Sequence, residues 1–306
     1  MRHLSKTMAS PNRLRLGTRS SPLAHVQSEE ILTILRAVHP NIEFETVPIT
    51  TQGDRDQKTP LTDIGRGLFV KELELALLRE EIDFAVHSAK DLPTQIPIGL
   101  VVAAITKRAD PRDVLVDKWH VSLKDLPEGA HIGTGSPRRT VLLKAIRPDL
   151  KVSSIRGNVG TRIDKVKNEE YDGVILAAAG LLRLGRLEEA ADYLDPEEFV
   201  PDAGQGALII ETREKDQITR ETVRAANHPE SALAVRAERA FINEFDGGCT
   251  VPVAAYVTVE DKWLHLVGFA ATTDQVGISR SRHTGMTRNP EEAGQHLANK
   301  LLVKDI

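Results

Sequence analysis

Short apolar runs alternate along this chain with stretches whose apolar positions recur every three or four residues, the two periods of strands and helices. Arg13 to Gly17 reads as a first strand, followed by Thr18-Arg19-Ser20-Ser21-Pro22. Ser21 can cap a helix that has Pro22 in its first position, where the missing proline N–H costs nothing. Leu23, Val26, Ile31, Ile34, Leu35 and Val38 mark one face of that helix, which ends near His39-Pro40. Glu43 to Thr50 is a second strand. Thr51 to Gly67 is polar, contains glycine and has no period, so it is expected to form a long mobile loop that acts as a lid. Phe69, Val70, Leu73, Ala76 and Leu77 make the next helix face, and Asp83 to His87 a third strand that ends in Ser88-Ala89-Lys90-Asp91.

The alternation continues. Leu100 to Ile105 and Asp113 to Val116 are apolar strands. Ala130 to Gly133 runs into Thr134-Gly135-Ser136-Pro137 and a helix bearing Val141, Leu142, Ala145 and Ile146. Val152 to Ile155 runs into Arg156-Gly157-Asn158 and a helix bearing Val159, Ile163 and Val166. Gly173 to Ala178 is a buried strand leading to Gly180-Leu181-Leu182-Arg183. Ala203-Gly204-Gln205-Gly206 opens the strand Ala207 to Glu211. Such an order predicts an α/β fold with a largely parallel sheet covered by helices. A helix from Ser231 to Phe245, strands Val253–Val259 and Trp263–Ala270, a strand near Ile278–Arg282 and a helix Pro290–Leu302 form a smaller α+β unit.

Composition narrows the class. The 306 residues exceed what one core usually organises and suggest two or three domains. A single cysteine rules out an internal disulfide framework and fits a reducing cytosol. The net charge of −4 argues against general affinity for nucleic acid. No apolar run has the length of a membrane span, and there is no signal-peptide core. The first ten residues are basic and rich in Ser and Thr, and read as a disordered start upstream of Met8 rather than a targeting tail. A soluble intracellular protein is expected.

Polar clusters sit where the predicted strands end or helices begin, the places where open α/β sheets bind ligands. They are Thr18-Arg19-Ser20-Ser21, Ser88-Ala89-Lys90-Asp91, Ser136-Pro137-Arg138-Arg139, Arg156-Gly157-Asn158 and Arg162. Most join a hydroxyl or amide side chain to one or two cations beside helix N–H groups, which suits anions. Arginine adds two-pronged recognition of carboxylate or phosphate. A single arginine near a helix start is ordinarily a solvated surface residue, but five clusters in like contexts point to a cleft for a polyanionic small molecule. Asp91 is the lone acid among these cations. It could steady a cationic intermediate or accept N–H groups of a substrate, and it could equally pair with Lys90 or cap a helix.

Cys249 lies in Phe245-Asp-Gly-Gly-Cys-Thr-Val-Pro252, where the two glycines permit a turn that exposes the thiol. A lone cysteine is ordinarily an inert small hydrophobe. With an anion cleft elsewhere in the chain it becomes a candidate nucleophile. His87 ends an apolar strand and reads as a packed residue. A Cys–His hydrolase has no histidine selected by the sequence. There is no His-Glu-x-x-His, no paired cysteine, no calcium loop and no Gly-x-x-x-x-Gly-Lys-Ser/Thr phosphate loop.

Six blocks give the chain a family resemblance. They are Arg15-Leu-Gly-Thr-Arg-Ser-Ser-Pro-Leu-Ala24, Gly67-Leu-Phe-Val-Lys-Glu-Leu73, Ala85-Val-His-Ser-Ala-Lys-Asp-Leu-Pro93, Arg156-Gly-Asn-Val-Gly-Thr-Arg162, Gly204-Gln-Gly-Ala207 and Gly247-Gly-Cys-Thr-Val-Pro252. In this order the chain resembles the porphobilinogen deaminases, or hydroxymethylbilane synthases, from about Arg15 to the last helix. The resemblance implies two lobes like those of type II periplasmic binding proteins plus a small α+β C-terminal domain. The implied domains are 1–105 with 198–220, 106–197, and 221–306.

It also implies the reaction. Four porphobilinogen molecules are condensed head to tail with loss of ammonia, and hydroxymethylbilane is released by hydrolysis. A dipyrromethane cofactor would prime the condensation, bound by a thioether to Cys249. By match to the family's motifs, Lys90, Asp91, Ser136, Arg138, Arg139, Arg156, Arg162 and Arg183 would hold the cofactor. Arg19, Ser21, Arg66, Lys71 and Gln205 would hold substrate, and Asp91 would be the catalytic acid group. Each pyrrole carries an acetate and a propionate, so a growing chain needs many cations. A cytoplasmic monomer with no membrane or nucleic-acid partner is implied. Arg66 stands where the family often has lysine, and Gly135 and Pro137 depart from its Gly-Thr-Ser-Ser-Leu-Arg-Arg. Pro137 suits a first helical position, so the local fold should survive. The alternative from another class is a two-lobed receptor for a carboxylate-rich solute. A receptor needs neither Cys249 nor Asp91.

Overall fold

The computed structural model describes residues 12–51, 70–245, 252–271 and 278–302. The Cys249 turn, Arg66, the first ten residues and nearly all of the expected lid lie outside these. Among the described residues three sheets form. The first has the order β2 (Glu43–Ile49), β1 (Arg13–Arg19), β3 (Phe84–Ser88), β10 (Leu208–Arg213), β4 (Leu100–Ile105). The second has the order β7 (Lys151–Ser153), β6 (His131–Gly133), β8 (Gly173–Ala177), β5 (Asp113–Asp117), β9 (Asp192–Tyr193). In the first, β10 is antiparallel to both neighbours, and in the second β5 is. Each sheet is thus largely parallel, as the alternating pattern implied, with one reversed strand. Each reversed strand is the first one after the chain crosses from one lobe to the other, through 106–112 or back through 194–207.

Helices cover these sheets. In α1 (Pro22–Val38) the Ser21 hydroxyl accepts the Ala24 N–H at 3.2 Å, with Pro22 in the first turn. Its buried face differs from the one expected. Gln27, Ser28, Ile31, Leu32 and Leu35 turn inward, whereas Val26 and Val38 are 38% and 56% exposed. The first turn packs against strand ends, where polar groups pair with one another. The Gln27 amide donates to Ser88 Oγ at 2.8 Å, and Ser28 Oγ to Thr18 Oγ1 at 2.7 Å. Beyond it come α2 (Lys71–Leu78), α3 (Pro137–Ile146), α4 (Val159–Lys167) and α5 (Ala178–Arg183). The short strand β9 and α6 (Gln217–Val223) were not anticipated. Two aliphatic residues, Ile218 and Val223, are too few to set a period, but Asp216 is a legible cap that accepts the Thr219 N–H at 3.0 Å.

The third sheet, β11 (Val253–Glu260), β12 (Trp263–Ala271) and β13 (Ile278–Met286), is a meander. Its period of two buries both faces. Leu264 and Leu266 meet Phe241 and Leu297 of α7 (Pro229–Asn243) and α8 (Pro290–Leu302), while Ala254, Val267 and Phe269 join the core of the second lobe beside Phe199 and Val200. Full burial of each phenylalanine stabilises by about 1.5–3 kcal/mol. Val235 of α7 packs into the first lobe against Ile105 and Ile209. This unit is therefore wedged against both lobes.

A buried carboxylate fixes the wedge. Glu238 of α7 accepts Arg108 Nη1 at 2.6 Å and the Val257 N–H at 2.9 Å on one oxygen, and the Gly204 N–H at 2.7 Å on the other. Arg108 lies on the first crossing and Gly204 on the second, so one side chain ties both to the small unit. Burial raises the Glu238 pKa against the opposing pull of Arg108.

Candidate active site

The site forms at the seam where the two lobes and both crossings meet. Its first anchor is the turn after β3. The Ala89 N–H donates to Ala207 O at 3.0 Å and the Asp91 N–H to Ser88 O at 2.9 Å, so Lys90 and Asp91 project from a fixed backbone. The second is the return crossing. Gly204 has φ +75°, and a Cβ there would stand 2.8 Å from the Ala89 Cβ; Gly206 has φ +93°, and its Cβ would stand 2.6 Å from Ala109 O. Only glycine fits both, and between them Gln205 is buried.

From Gln205 a polar chain runs across the seam. Lys90 Nζ donates to Gln205 Oε1 at 3.2 Å, and Gln205 Nε2 donates to Pro111 O at 2.7 Å and to Asp113 Oδ1 at 2.9 Å. Asp113 is fully buried at the head of β5. Its Oδ1 also accepts Arg139 Nη2 at 2.6 Å and Nε at 3.1 Å, and its Oδ2 lies 2.8 Å from Arg138 Nη1. Burial alone would raise this carboxyl's pKa, but Arg138 and Arg139 outweigh it and hold the group well below its ordinary value. Further bonds run from Arg138 to Val200 O at 2.7 Å and from Arg139 to Ile175 O at 2.8 Å. Both arginines, expected as ligand-binding cations, are buried and engaged with Asp113, but Arg138 Nε is buried without a hydrogen-bond partner.

Around this hub the cations crowd one another. Burial first, then Arg139 and Arg156, push the Arg162 pKa down to about 10, with Asp91 opposing. Burial and then Arg139 push Lys90 below its ordinary value, opposed by Asp91, Asp202 and Asp113. Arg156 and Arg162 flank Gly157 at the start of α4, where Asn158 caps the helix by accepting the Thr161 N–H at 2.9 Å. Arg162 Nε also donates to Gly157 O at 2.9 Å. Lys90, Arg138, Arg139, Arg156 and Arg162 thus share one seam with Asp91, Asp113 and Asp202, and such crowding of like charge suits a bound anion.

The remaining candidates are more dispersed. Arg19 is half-buried at the end of β1, beside the capping Ser21. Ser136 caps α3, accepting the Arg139 N–H at 3.4 Å with Pro137 in the first turn, so the helix start survives as expected. Lys71 is exposed at the start of α2. Arg183 is turned aside: its Nε donates to Glu30 Oε2 at 2.8 Å and an Nη to Gly206 O at 3.2 Å. His87 is packed, as anticipated, 3.0 Å from the buried Glu211. The sequence reading missed Asp113 and Glu238. For Asp113 there was a signal, an acid at the head of the apolar run Val114-Leu115-Val116. Glu238 looks like any polar position of α7.

Comparison with known proteins now adds to this geometry. Residues 14–221 match the family model "Porphobilinogen deaminase, dipyromethane cofactor binding domain", and residues 232–303 match "Porphobilinogen deaminase, C-terminal domain". The chain belongs to the porphobilinogen deaminase family. Curated porphobilinogen deaminases include that of Alkaliphilus metalliredigens, 46% identical over 95% of this chain and 92% of that protein. The Trichlorobacter lovleyi protein is 48% identical over 96% and 94%, and that of Geobacter sulfurreducens 47% identical over 95% and 92%. Among solved structures, the chain is similar to the periplasmic VFT2 domain of Bordetella pertussis BvgS (15% identity, 70% of this chain and 86% of that one, TM-score 0.42). It is also similar to the aliphatic sulphonate binding protein SsuA of Escherichia coli (16%, 68% and 63%, TM-score 0.40). The porphobilinogen deaminase cofactor-domain match takes in every described cation of the seam.

Proposed function

We propose that this protein is a porphobilinogen deaminase that condenses four porphobilinogen molecules head to tail, releases ammonia at each step and liberates hydroxymethylbilane by hydrolysis. One observation besides family membership carries the reading. Lys90, Arg138, Arg139, Arg156 and Arg162 gather at one seam among three acids, Asp91, Asp113 and Asp202, and the pKa values of Lys90 and Arg162 are pushed down. A carboxylate-rich pyrrole chain is the kind of anion that such a cluster of cations attracts.

The residues fit a dipyrromethane cofactor. The buried, unpartnered Arg138 Nε is a donor in search of an acceptor. Lys90, Ser136, Arg138, Arg139, Arg156 and Arg162 would hold its carboxylates, and Cys249, outside the described residues, would carry it through a thioether. When bound, it supplies the pyrrole end to which substrate is joined.

The protein's own groups do the rest. Asp91 accepts the pyrrole N–H of substrate and stabilises the positive charge left on that ring as ammonia departs. Arg19, Ser21, Arg66 and Lys71 orient the incoming carboxylates, while Gln205, expected among them, is buried and positions Lys90 instead. Asp113 keeps Arg138 and Arg139 fixed, so no reorganisation is needed when charge moves. The proposed domains are 1–105 with 198–220, 106–197, and 221–306, a division that the joining of β10 to the first sheet supports. The proposed working form is a cytoplasmic monomer. No helix among the described residues is long and apolar enough to cross a membrane.

Intact-protein mass tests the reading. Protein expressed in a cell that makes porphobilinogen should carry a covalent pyrrolic adduct that disappears in Cys249→Ser. An unmodified chain with no hydroxymethylbilane production would refute it.

A further inference from the structure

Val235, Arg239 and Asn243 stand four residues apart on α7 and form one stripe of that helix. The stripe runs along the segment that follows Asp91. Val235 lies in one apolar cluster with Ala89 and Leu92, the residues on either side of Lys90 and Asp91. Arg239 Nη1 donates to Leu92 O at 2.8 Å, and its Nη2 donates to Pro93 O at 2.6 Å and to Thr94 O at 3.4 Å. One turn further on, Asn243 Oδ1 accepts Gln95 Nε2 at 2.7 Å. Residues 92–95 belong to no helix or strand, and Pro93 has no N–H to bond. Their carbonyls are instead gathered from outside by one guanidinium, whose rigid fork of donors can reach several acceptors at once. On its other side the Asp91 turn is tied to the return crossing by the Ala89 N–H on Ala207 O. Asp91 therefore stands between two clamps, one from the first lobe and one from the small unit.

Resting on the deaminase reading, we propose that Arg239 is a positioning residue for that reaction, setting where the Asp91 carboxylate stands by holding the three carbonyls that follow it. Arg239 acts through Asp91 and not on the substrate. The placement has to be close, because an error of about 1 Å at a reacting centre can cost about 100-fold in rate. Glu238 and Arg239 are neighbours on α7, and one clamps the two crossings while the other clamps the turn. The small unit thereby carries the reference against which the acid group is aligned.

The test is steady-state kinetics with porphobilinogen on the cofactor-loaded enzyme, with melting temperatures measured on the same samples. Arg239→Lys keeps the charge, but a single ammonium cannot span three carbonyls, so kcat should fall at least about 10-fold with KM within about 2-fold of wild type. Arg239→Gln should fall at least as far, and if it does not fold, Arg239→Lys decides alone. Val267→Ala is the control for stability, since it loosens the small unit where it meets the second lobe, away from the turn. It should lower the melting temperature and leave kcat unchanged. Wild-type kcat in Arg239→Lys overturns the proposal. So does a raised KM at unchanged kcat, which would make Arg239 a substrate-binding group. An equal loss of kcat in Val267→Ala at the same melting temperature also overturns it, because stability alone would then explain the effect. In each of these cases product formation by the wild-type enzyme leaves the deaminase reading standing.

Discussion

Glu238 offers the sharpest test of how the small C-terminal unit is held. In Glu238→Ala, Arg108, whose side chain is 10% exposed, loses its buried partner, and the Gly204 and Val257 N–H groups lose their acceptor. Removing one side of a buried ion pair costs about 3–5 kcal/mol, and each orphaned N–H about 1 kcal/mol or more. The sum, about 5 kcal/mol at the low end, is comparable with the whole stability of many proteins, about 5–15 kcal/mol. Glu238→Gln keeps one acceptor oxygen and the shape but not the charge, so it should cost about half as much. Urea unfolding, followed through the fluorescence of Trp119 and Trp263 and extrapolated linearly to water, gives both numbers. An Ala variant within about 1 kcal/mol of wild type would refute the account, as would a Gln variant no more stable than the Ala variant.

Three further outcomes are expected. Asp91→Ala should abolish hydroxymethylbilane formation with an unchanged melting temperature; near-normal turnover would remove its assigned role. Gly206→Ala forces a Cβ to within 2.6 Å of Ala109 O at φ +93°, so it should destabilise by about 1–3 kcal/mol, and denaturant midpoints equal to wild type would refute the steric argument. Asp113 has a folded-state pKa below the ordinary 3.8, so its contribution is present above about pH 4 and drains away as the pH falls below that. Melting temperatures taken from about pH 5 to about pH 3 should fall more steeply for wild type than for Asp113→Asn, and parallel curves would contradict it.

Much of the architecture is legible in the sequence because strands and helices here differ sharply in period. Ser21-Pro22 and Ser136-Pro137 announce their helices by cap chemistry alone, and both caps are present. The α1 face was misjudged because a hydrophobic count assumes that an inward face is apolar. At strand ends lining a cleft, Gln27 and Ser28 bury by bonding to Ser88 and Thr18 instead. The cations at strand ends pointed to an anion site, and Lys90, Arg156 and Arg162 do converge. What could not be read is which cations already have internal partners. Asp113 is 92 residues from Gln205 in sequence, and Glu30 is 153 from Arg183. Pairings at that separation come from the lobes' packing, not from any local pattern.

The double crossing between the lobes has a mechanical consequence. A single linker would let the halves swing and twist freely. Two strands of chain side by side, 106–112 and 194–207, behave instead like the two pins of a door, soft to bending about the line that joins them and stiff to torsion. Both are clamped at Glu238, so that axis is fixed relative to the small unit as well. A growing chain held between the lobes would therefore find room more readily by opening about that line than by one half sliding past the other.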